Sequence, residues 1–235
     1  MSFVSRSASH PGAVRTRNED AFIDRSDIGL WAVADGAGGH GFGEVASAAV
    51  VACLSDLPVG LSAAELLAQV RLRIGAVHVD LQRRAGEREP AGLIASTAVI
   101  LLVRDDHVAC LWAGDSRAYL LREGGLTQLT RDHSVVAKMV EAGQLAPDDA
   151  RHHPQANLIT RAVGGYGPLE LEKVTATLRL GDMVLLCSDG LFNAVPEEEI
   201  ARHLAAGEDA DAIVSAALAA GARDNVTALT VRAPT

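Results

Sequence analysis

Two kinds of apolar patterning alternate along the chain. Short, nearly continuous apolar runs at Ile28–Asp35, Ser96–Val103, Val108–Ala113, Ala118–Arg122, Met183–Cys187 and Val226–Val231 predict strands. The runs between Ala95 and Leu129 are joined by short polar or glycine-bearing turns, Arg104-Asp105-Asp106 and Glu123-Gly124-Gly125. Such turns make antiparallel hairpins, because a parallel pair needs a long crossover. Elsewhere the apolar positions recur at helical spacing. Ser62-Ala63-Ala64-Glu65 reads as a capping box, and Leu66, Val70, Ile74, Val77 and Leu81 then form one stripe. A helix is also expected from Gly43 through about Leu57. Another starts at Pro196 with Glu197, Glu198 and Glu199 in its first turn, and a last one opens at Asp209 or Asp211 and runs to about Ala220. Hairpin-rich sheets with separate helix pairs predict an α+β chain, as a layered sandwich.

Composition narrows the reading. The chain has 235 residues, 49% hydrophobic and 22% charged, which excludes a disordered polymer and suits one domain over 1–235. Lys and Arg number 21 against 30 Asp and Glu, a net charge of −9 that argues against nucleic acid or an anionic membrane as partner. The odd cysteines Cys53, Cys110 and Cys187 lie far apart in apolar runs and read as buried, reduced thiols. The first residues form no apolar leader, and no apolar run reaches the length of a membrane span. A cytoplasmic, soluble protein is expected.

Five short segments could carry chemistry. Arg15-Thr16-Arg17-Asn18-Glu19-Asp20 puts a guanidinium close to two carboxylates, although such a hexamer can be a solvated turn. Ala34-Asp35-Gly36-Ala37-Gly38-Gly39-His40-Gly41 follows a strand and precedes a helix. Gly114-Asp115-Ser116 lies between two strands, Ser188-Asp189-Gly190 ends another, and Asp224-Asn225 precedes the last. Each of the last three can be an ordinary turn or cap.

The glycines from Gly36 to Gly41 also satisfy the dinucleotide pattern GxGxxG, with Asp56 20 residues on. That reading fails on three counts. Asp35 would repel a pyrophosphate, Asp56 falls near a helix end, and no βαβ unit follows. An oxidoreductase built on this loop is therefore disfavoured. The repetition is more informative, because Asp35, Asp115, Asp189 and Asp224 all stand at strand boundaries. Carboxylates gathered at one sandwich edge repel one another unless cations neutralise them. An oxygen-only set without paired Cys or His suits Mg²⁺ or Mn²⁺ rather than zinc.

Taken in order, GAVRTRNEDAF, VADGAGGHGFGEVAS, the Ser96-Thr97 strand, AGDSRAYLL, LTRDHSVV, LITRAVGG, LLCSDGLF and ARDNVTALTV cover the chain from Arg15 to Val231. The sequence resembles the bacterial type-2C (PPM) metal-dependent protein serine/threonine phosphatases. The resemblance implies a four-layer α/β/β/α sandwich of two antiparallel sheets flanked by helix pairs. It implies that Asp35 bridges two metals with the Gly36 carbonyl as a further ligand, that Asp189 and Asp224 complete the first site, and that Glu19 and Asp20 hold metal-bound waters. Asp115, shared with Asp189, would serve a third, weaker metal. Arg15 would bind the phosphate through its planar fork.

The reaction so implied is hydrolysis of phosphoserine or phosphothreonine in proteins by a metal-bridging hydroxide, with no phospho-enzyme. The leaving alkoxide needs a proton. His40 is the nearest candidate, and helix capping or water ordering is an equal alternative. His133 is expected to anchor its loop, and His152 and His153 to face solvent on a flap over about 134–160. Ala37 replaces a larger residue, often Met, without removing a ligand. Expected partners are phosphorylated proteins, with a cognate Ser/Thr kinase and its substrates, for a monomer. A catalytically silent phosphoprotein-binding regulator of the same fold is the other reading, which loss of a metal aspartate would mark.

Overall fold

The computed structural model describes residues 3–38, 42–88 and 92–234. In chain order the elements are β1 (Val4–His10), β2 (Asp20–Arg25), β3 (Leu30–Ala37), α1 (Phe42–Ser55), α2 (Ala63–Gly86), β4 (Ala95–Ser96), β5 (Ala98–Arg104), β6 (His107–Ala113) and β7 (Arg117–Arg122). They continue as β8 (Gly125–Gln128), α3 (Val135–Glu141), α4 (Pro147–Ala150), β9 (Glu172–Thr177), β10 (Met183–Cys187), α5 (Asp189–Ala194), α6 (Glu197–Ala205), α7 (Ala210–Ala219) and β11 (Val226–Arg232). One sheet has the order β1-β11-β10-β7-β8. The other has β2-β3-β5-β6-β9, with β4 pairing the end of β3. Every strand pair is antiparallel.

Alternation of side chains along each strand builds the layers. In β3, Trp31 and Val33 face the second sheet, while Leu30, Ala32 and Ala34 face α1 and α2. In β5, Val99, Leu101 and Val103 point inward and Ile100 and Leu102 outward. On the other sheet, Val184, Leu186, Leu229 and Val231 complete the inner layer, while Leu185, Cys187 and Ala228 pack against α5, α6 and α7. Three apolar layers between two sheets and two helix layers make the α/β/β/α sandwich that the resemblance implies. Each buried Leu or Val in them contributes about 1.5–3 kcal/mol. The Ser62–Glu65 capping box is present, and Asp209 rather than Asp211 caps α7. Among the described residues no helix is long and apolar enough to cross a membrane.

Several elements differ from the expectation. The strand expected at Ile28–Asp35 starts at Leu30 and runs to Ala37, because a 3-10 turn at Ser26–Ile28 ends on Gly29 at φ 62°. The strand expected at Ser96–Val103 breaks at Thr97, whose side chain bonds the backbone of Asp35. Asp189 opens the short helix α5 as well as following a strand. Cys110 and Cys187 are buried, but Cys53 is only half-buried, and all three are free. His152 is exposed as expected, whereas His153 is half-buried and its Nδ1 accepts from the Gln155 N–H.

Candidate functional site

Antiparallel order gathers the candidate residues at one end of the sandwich. β10 ends at Cys187 where β7 begins at Arg117, and Cys187 also faces Ala228 near the start of β11. Asp115, Asp189 and Asp224 each lie two residues beyond those strand ends, so they share one rim. On the other sheet Asp20 and Asp35 are direct cross-strand partners. They lie in register with Phe22 and Val33, so they face the space between the sheets. Like charges placed directly opposite one another destabilise a sheet, so this pair is costly unless it has a use.

Hydrogen bonds fix the backbone around these carboxyls. The Thr97 N–H donates to the Asp35 carbonyl at 2.8 Å, and Thr97 Oγ1 accepts from the Asp35 N–H at 2.9 Å. The same hydroxyl meets Ser116 Oγ at 2.7 Å, which ties the Asp35 strand to the Asp115 turn. His133 anchors that turn as expected. Its N–H donates to the Gly114 carbonyl at 3.0 Å, and its Nδ1 accepts from the Gly114 N–H at 3.1 Å. Gly114 has φ 112°, and a Cβ there would stand 2.6 Å from Thr97 Cβ, so only glycine fits. Asn225 clasps the Arg15 loop: its Nδ2 donates to the carbonyls of Pro11 and Arg17, and its Oδ1 accepts from the Glu19 N–H at 2.8 Å.

The carboxyls share one electrostatic neighbourhood. Asp35 is held well above the ordinary carboxylate range by burial, then by Asp20, Asp189, Asp115 and Asp224. Burial first, then the charges of Asp189 and Asp224, push Asp20 up to about 7, against the hydroxyls of Thr227 and Ser188 that favour its ionised form. Burial and Asp189 push Asp115 up to about 7. Asp189 rises to about 6 through burial and Asp224, partly countered by the hydrogen bond it receives from Asp35. All of these aspartates, with Asp224, still keep partial access to solvent, as the lining of an open cleft would.

Two observations bear on a cation. Asp20 Oδ2 accepts from Ser188 and Thr227, both at 2.7 Å, but its Oδ1 is buried without a partner. A buried carboxylate oxygen left bare costs free energy unless a cation or donor meets it. The surrounding donors are hard oxygens, which fit Mg²⁺ or Mn²⁺. Among the described residues no three His, Cys, Asp or Glu side chains form a ready-made chelating set, so the carboxyls make a common field rather than a closed shell. None of the thiols is poised as a nucleophile: burial pushes Cys53 up to about 11 and Cys110 up to about 12, and it also raises Cys187, which packs into the layer under α5, α6 and α7.

Arg15 stands at the mouth with its side chain 58% exposed, and Nη2 donates to Asp224 Oδ2 at 2.9 Å. Glu19 is more peripheral. Its Oε2 lies 2.7 Å from where a Cβ on Gly43 would be, at the start of α1, and its charge is felt by Arg15. Gly36 is pressed against Gly43, so that a Cβ on it would meet the Gly43 carbonyl oxygen at 2.1 Å. His40 lies outside the described residues. The cleft thus brings together Asp20, Asp35, Asp115, Asp189, Asp224 and Arg15, with Glu19 and Gly36 beside them.

Sequence reasoning placed Ser188, Asn225 and Ser116 in candidate segments only as neighbours of an aspartate, and Thr97 and Thr227 only as parts of strands. The only signal was their adjacency to the aspartates. It also missed Arg117, whose guanidinium grips Asp132 and lies with its Cζ 3.7 Å from the centre of the Phe192 ring.

A family model described as protein phosphatase 2C matches residues 9–222. The serine/threonine phosphatase Stp of Listeria monocytogenes is 35% identical over 231 residues, 94% of this chain and 92% of that protein. PppA, described as a key regulatory component of the type VI secretion system in Pseudomonas aeruginosa, superposes with a TM-score of 0.90 at 38% identity, over 99% of this chain and 98% of that one. The catalytic domain of the serine/threonine protein phosphatase PstP, solved with two manganese ions, superposes with a TM-score of 0.83 at 35% identity, over 99% of each chain.

Proposed function

The chain belongs to the protein phosphatase 2C family, the protein serine/threonine phosphatases, and we propose that its acidic cleft hydrolyses phosphoserine and phosphothreonine esters with the help of Mn²⁺ or Mg²⁺. The observation that carries this reading is the crowding of Asp20, Asp35 and Asp189 against one another, with one Asp20 oxygen buried and bare. Asp35, Asp189 and Asp224, with the Gly36 carbonyl, would hold two tightly bound cations. Asp20 and Glu19 would support them from the β2 side, and Asp115 with Asp189 would hold a third, weaker one. Bound cations would neutralise the carboxylates, draw charge from the phosphate oxygens and lower the pKa of water.

The chain's own residues do the rest. Arg15 uses one N–H on Asp224 and keeps others free, so its fork can take phosphate oxygens while staying aligned. Thr97, Ser116 and His133 keep the Asp35 strand and the Asp115 turn at a fixed separation. Ser188 and Thr227 hold Asp20 in one orientation. His40, outside the described residues, is the candidate to give a proton to the leaving alkoxide, with helix capping or water ordering as the equal alternative. The whole chain acts as one catalytic domain, a cytoplasmic monomer, with 134–160 as a flap beside the cleft. In the cell the activity would oppose a Ser/Thr kinase.

Chelator-treated protein should release no phosphate from a phosphothreonine peptide, and added Mn²⁺ should restore release. Full turnover after chelation would overturn the metal-dependent reading. Tight phosphopeptide binding without turnover at saturating Mn²⁺ would favour the silent regulator.

A further inference from the structure

A groove of about 730 Å³ leaves the acidic cleft and runs beneath the segment 134–160. Asp115 and Asp189 line its near end, so it is continuous with the candidate catalytic site. The volume lies within the roughly 300–1,000 Å³ of pockets that bury a small ligand. The far walls change character. Val136, Ala137 and Val140 come from α3, Pro147 and Ala150 from α4, and Phe192 from α5. Two of the cations on this lining are already paired, while Arg151 and His152 line it from the 134–160 side, exposed and without a side-chain ion pair among the described residues. Arg117 is bound by Asp132, Tyr119 and Glu197, and Arg131 by Glu141 at 2.8 Å. On the α3 side the groove offers apolar contact, over a floor that Arg117 stiffens from one side of the Phe192 ring.

Spacing says what could use it. Phe192 follows Asp189 by three residues on α5, so the two side chains are neighbours on one helix face, with Cβ atoms about 5–6 Å apart. In an extended peptide, side chains two positions apart point the same way and are separated by roughly 7 Å. A chain that presents its phosphate to the aspartates therefore brings a side chain two positions away over Phe192 and the α3 wall.

We infer that this groove is a specificity subsite for an apolar side chain of the phosphoprotein, two positions from the phosphorylated residue. The inference rests on the phosphatase reading above. It makes the preferred substrate a phosphothreonine or phosphoserine with Leu, Ile, Val or Phe at that distance, on whichever side the chain leaves the cleft.

The test uses the full chain with Mn²⁺ and a set of phosphothreonine peptides that differ at one position within four residues of the phosphate. With Leu at one of the two positions two residues away, kcat/KM should exceed that of the Ala peptide by about tenfold, chiefly through KM. A flat profile with brisk turnover, or a preference for Asp or Lys there, overturns the subsite and leaves the phosphatase reading intact. No turnover of any phosphopeptide or of p-nitrophenyl phosphate overturns both. Val140→Asp should erase the Leu preference and favour Lys at the same position. If that variant does not melt cooperatively, the nearly isosteric Val140→Thr should lower the Leu-to-Ala ratio several-fold. An unchanged ratio in a folded variant overturns the inference.

Discussion

Replacing Arg117 by alanine should cost the fold about 3–4 kcal/mol. Arg117 directly follows the Gly114-Asp115-Ser116 turn and starts β7. Its Nε donates to the Asp132 oxygens at 2.9 and 3.2 Å, and Nη2 donates to Oδ2 at 2.7 Å. Nη1 reaches Tyr119 Oη at 2.8 Å and Glu197 at 3.2 Å. The two ion-pair side chains are only 19% and 16% exposed. Burial works against the charge on Arg117, but Asp132 more than offsets it, so the guanidinium stays protonated. Removing one partner of a buried pair costs about 3–5 kcal/mol, because the other charge is left bare. Residual exposure favours the low end, about 3 kcal/mol, and the Phe192 contact adds about 0.5–1 kcal/mol. For a chain of this length that lowers Tm by roughly 6–15 °C. Urea unfolding of the single variants Arg117→Ala and Asp132→Asn and of the double variant gives the coupling. The double variant should be less damaging than the sum of the singles by at least about 1.5 kcal/mol. An additive cycle, or an Arg117→Ala loss under about 1 kcal/mol, would refute the reasoning.

Three other outcomes follow from the same geometry. Arg15→Lys keeps the charge and loses the fork, so KM for a phosphopeptide should rise more than kcat falls; an unchanged KM would place Arg15 outside the phosphate site. A methyl on Gly190 would stand 2.0 Å from the Asn225 carbonyl oxygen, so Gly190→Ala should cost about 2–3 kcal/mol in urea unfolding, and an unshifted midpoint would contradict the packing. Metal-stripped protein should lose thermal stability as pH rises. Asp20 and Asp115 are pushed up to about 7 and Asp189 to about 6, so their contribution is complete below the unfolded carboxylate value, about 3.9. It is lost as pH climbs through 6 to 7, and added Mn²⁺ should flatten the profile. A Tm that rises across that window in chelator would show that the carboxyls do not titrate as a crowded group.

The strands most legible in the sequence are those with both faces covered. β3, β5 and β10 lie between a helix layer and the other sheet, so neither face needs polar residues and the runs read as nearly continuous. The edge strands were not legible. β1 reads VSRSASH and β9 reads EKVTAT, and none of their residues is fully buried, so neither carries an apolar run that would mark a strand. β2 was hidden because it begins inside the charged Arg15–Asp20 cluster. The aspartates stood out because four of them sit at the ends of apolar runs. The residues that orient them did not, because Ser188, Thr227, Thr97 and Asn225 act through contacts with residues far away in the chain. Asp20 and Asp35 are a similar case, since their pairing depends on the β2–β3 register and no spacing in the sequence reports it.

Phosphoester hydrolysis in this cleft should depend on cations held by the crowded carboxyls. Calorimetric titration of chelated protein with Mn²⁺, run beside turnover of a phosphothreonine peptide, tests this dependence most directly. Wild-type protein should bind at two tight sites. Asp35→Asn should lose them, with kcat lower by at least about 10². Asp115→Ala should keep both tight sites while turnover falls sharply. An Asp35→Asn protein that binds Mn²⁺ and turns over like wild type would contradict the account.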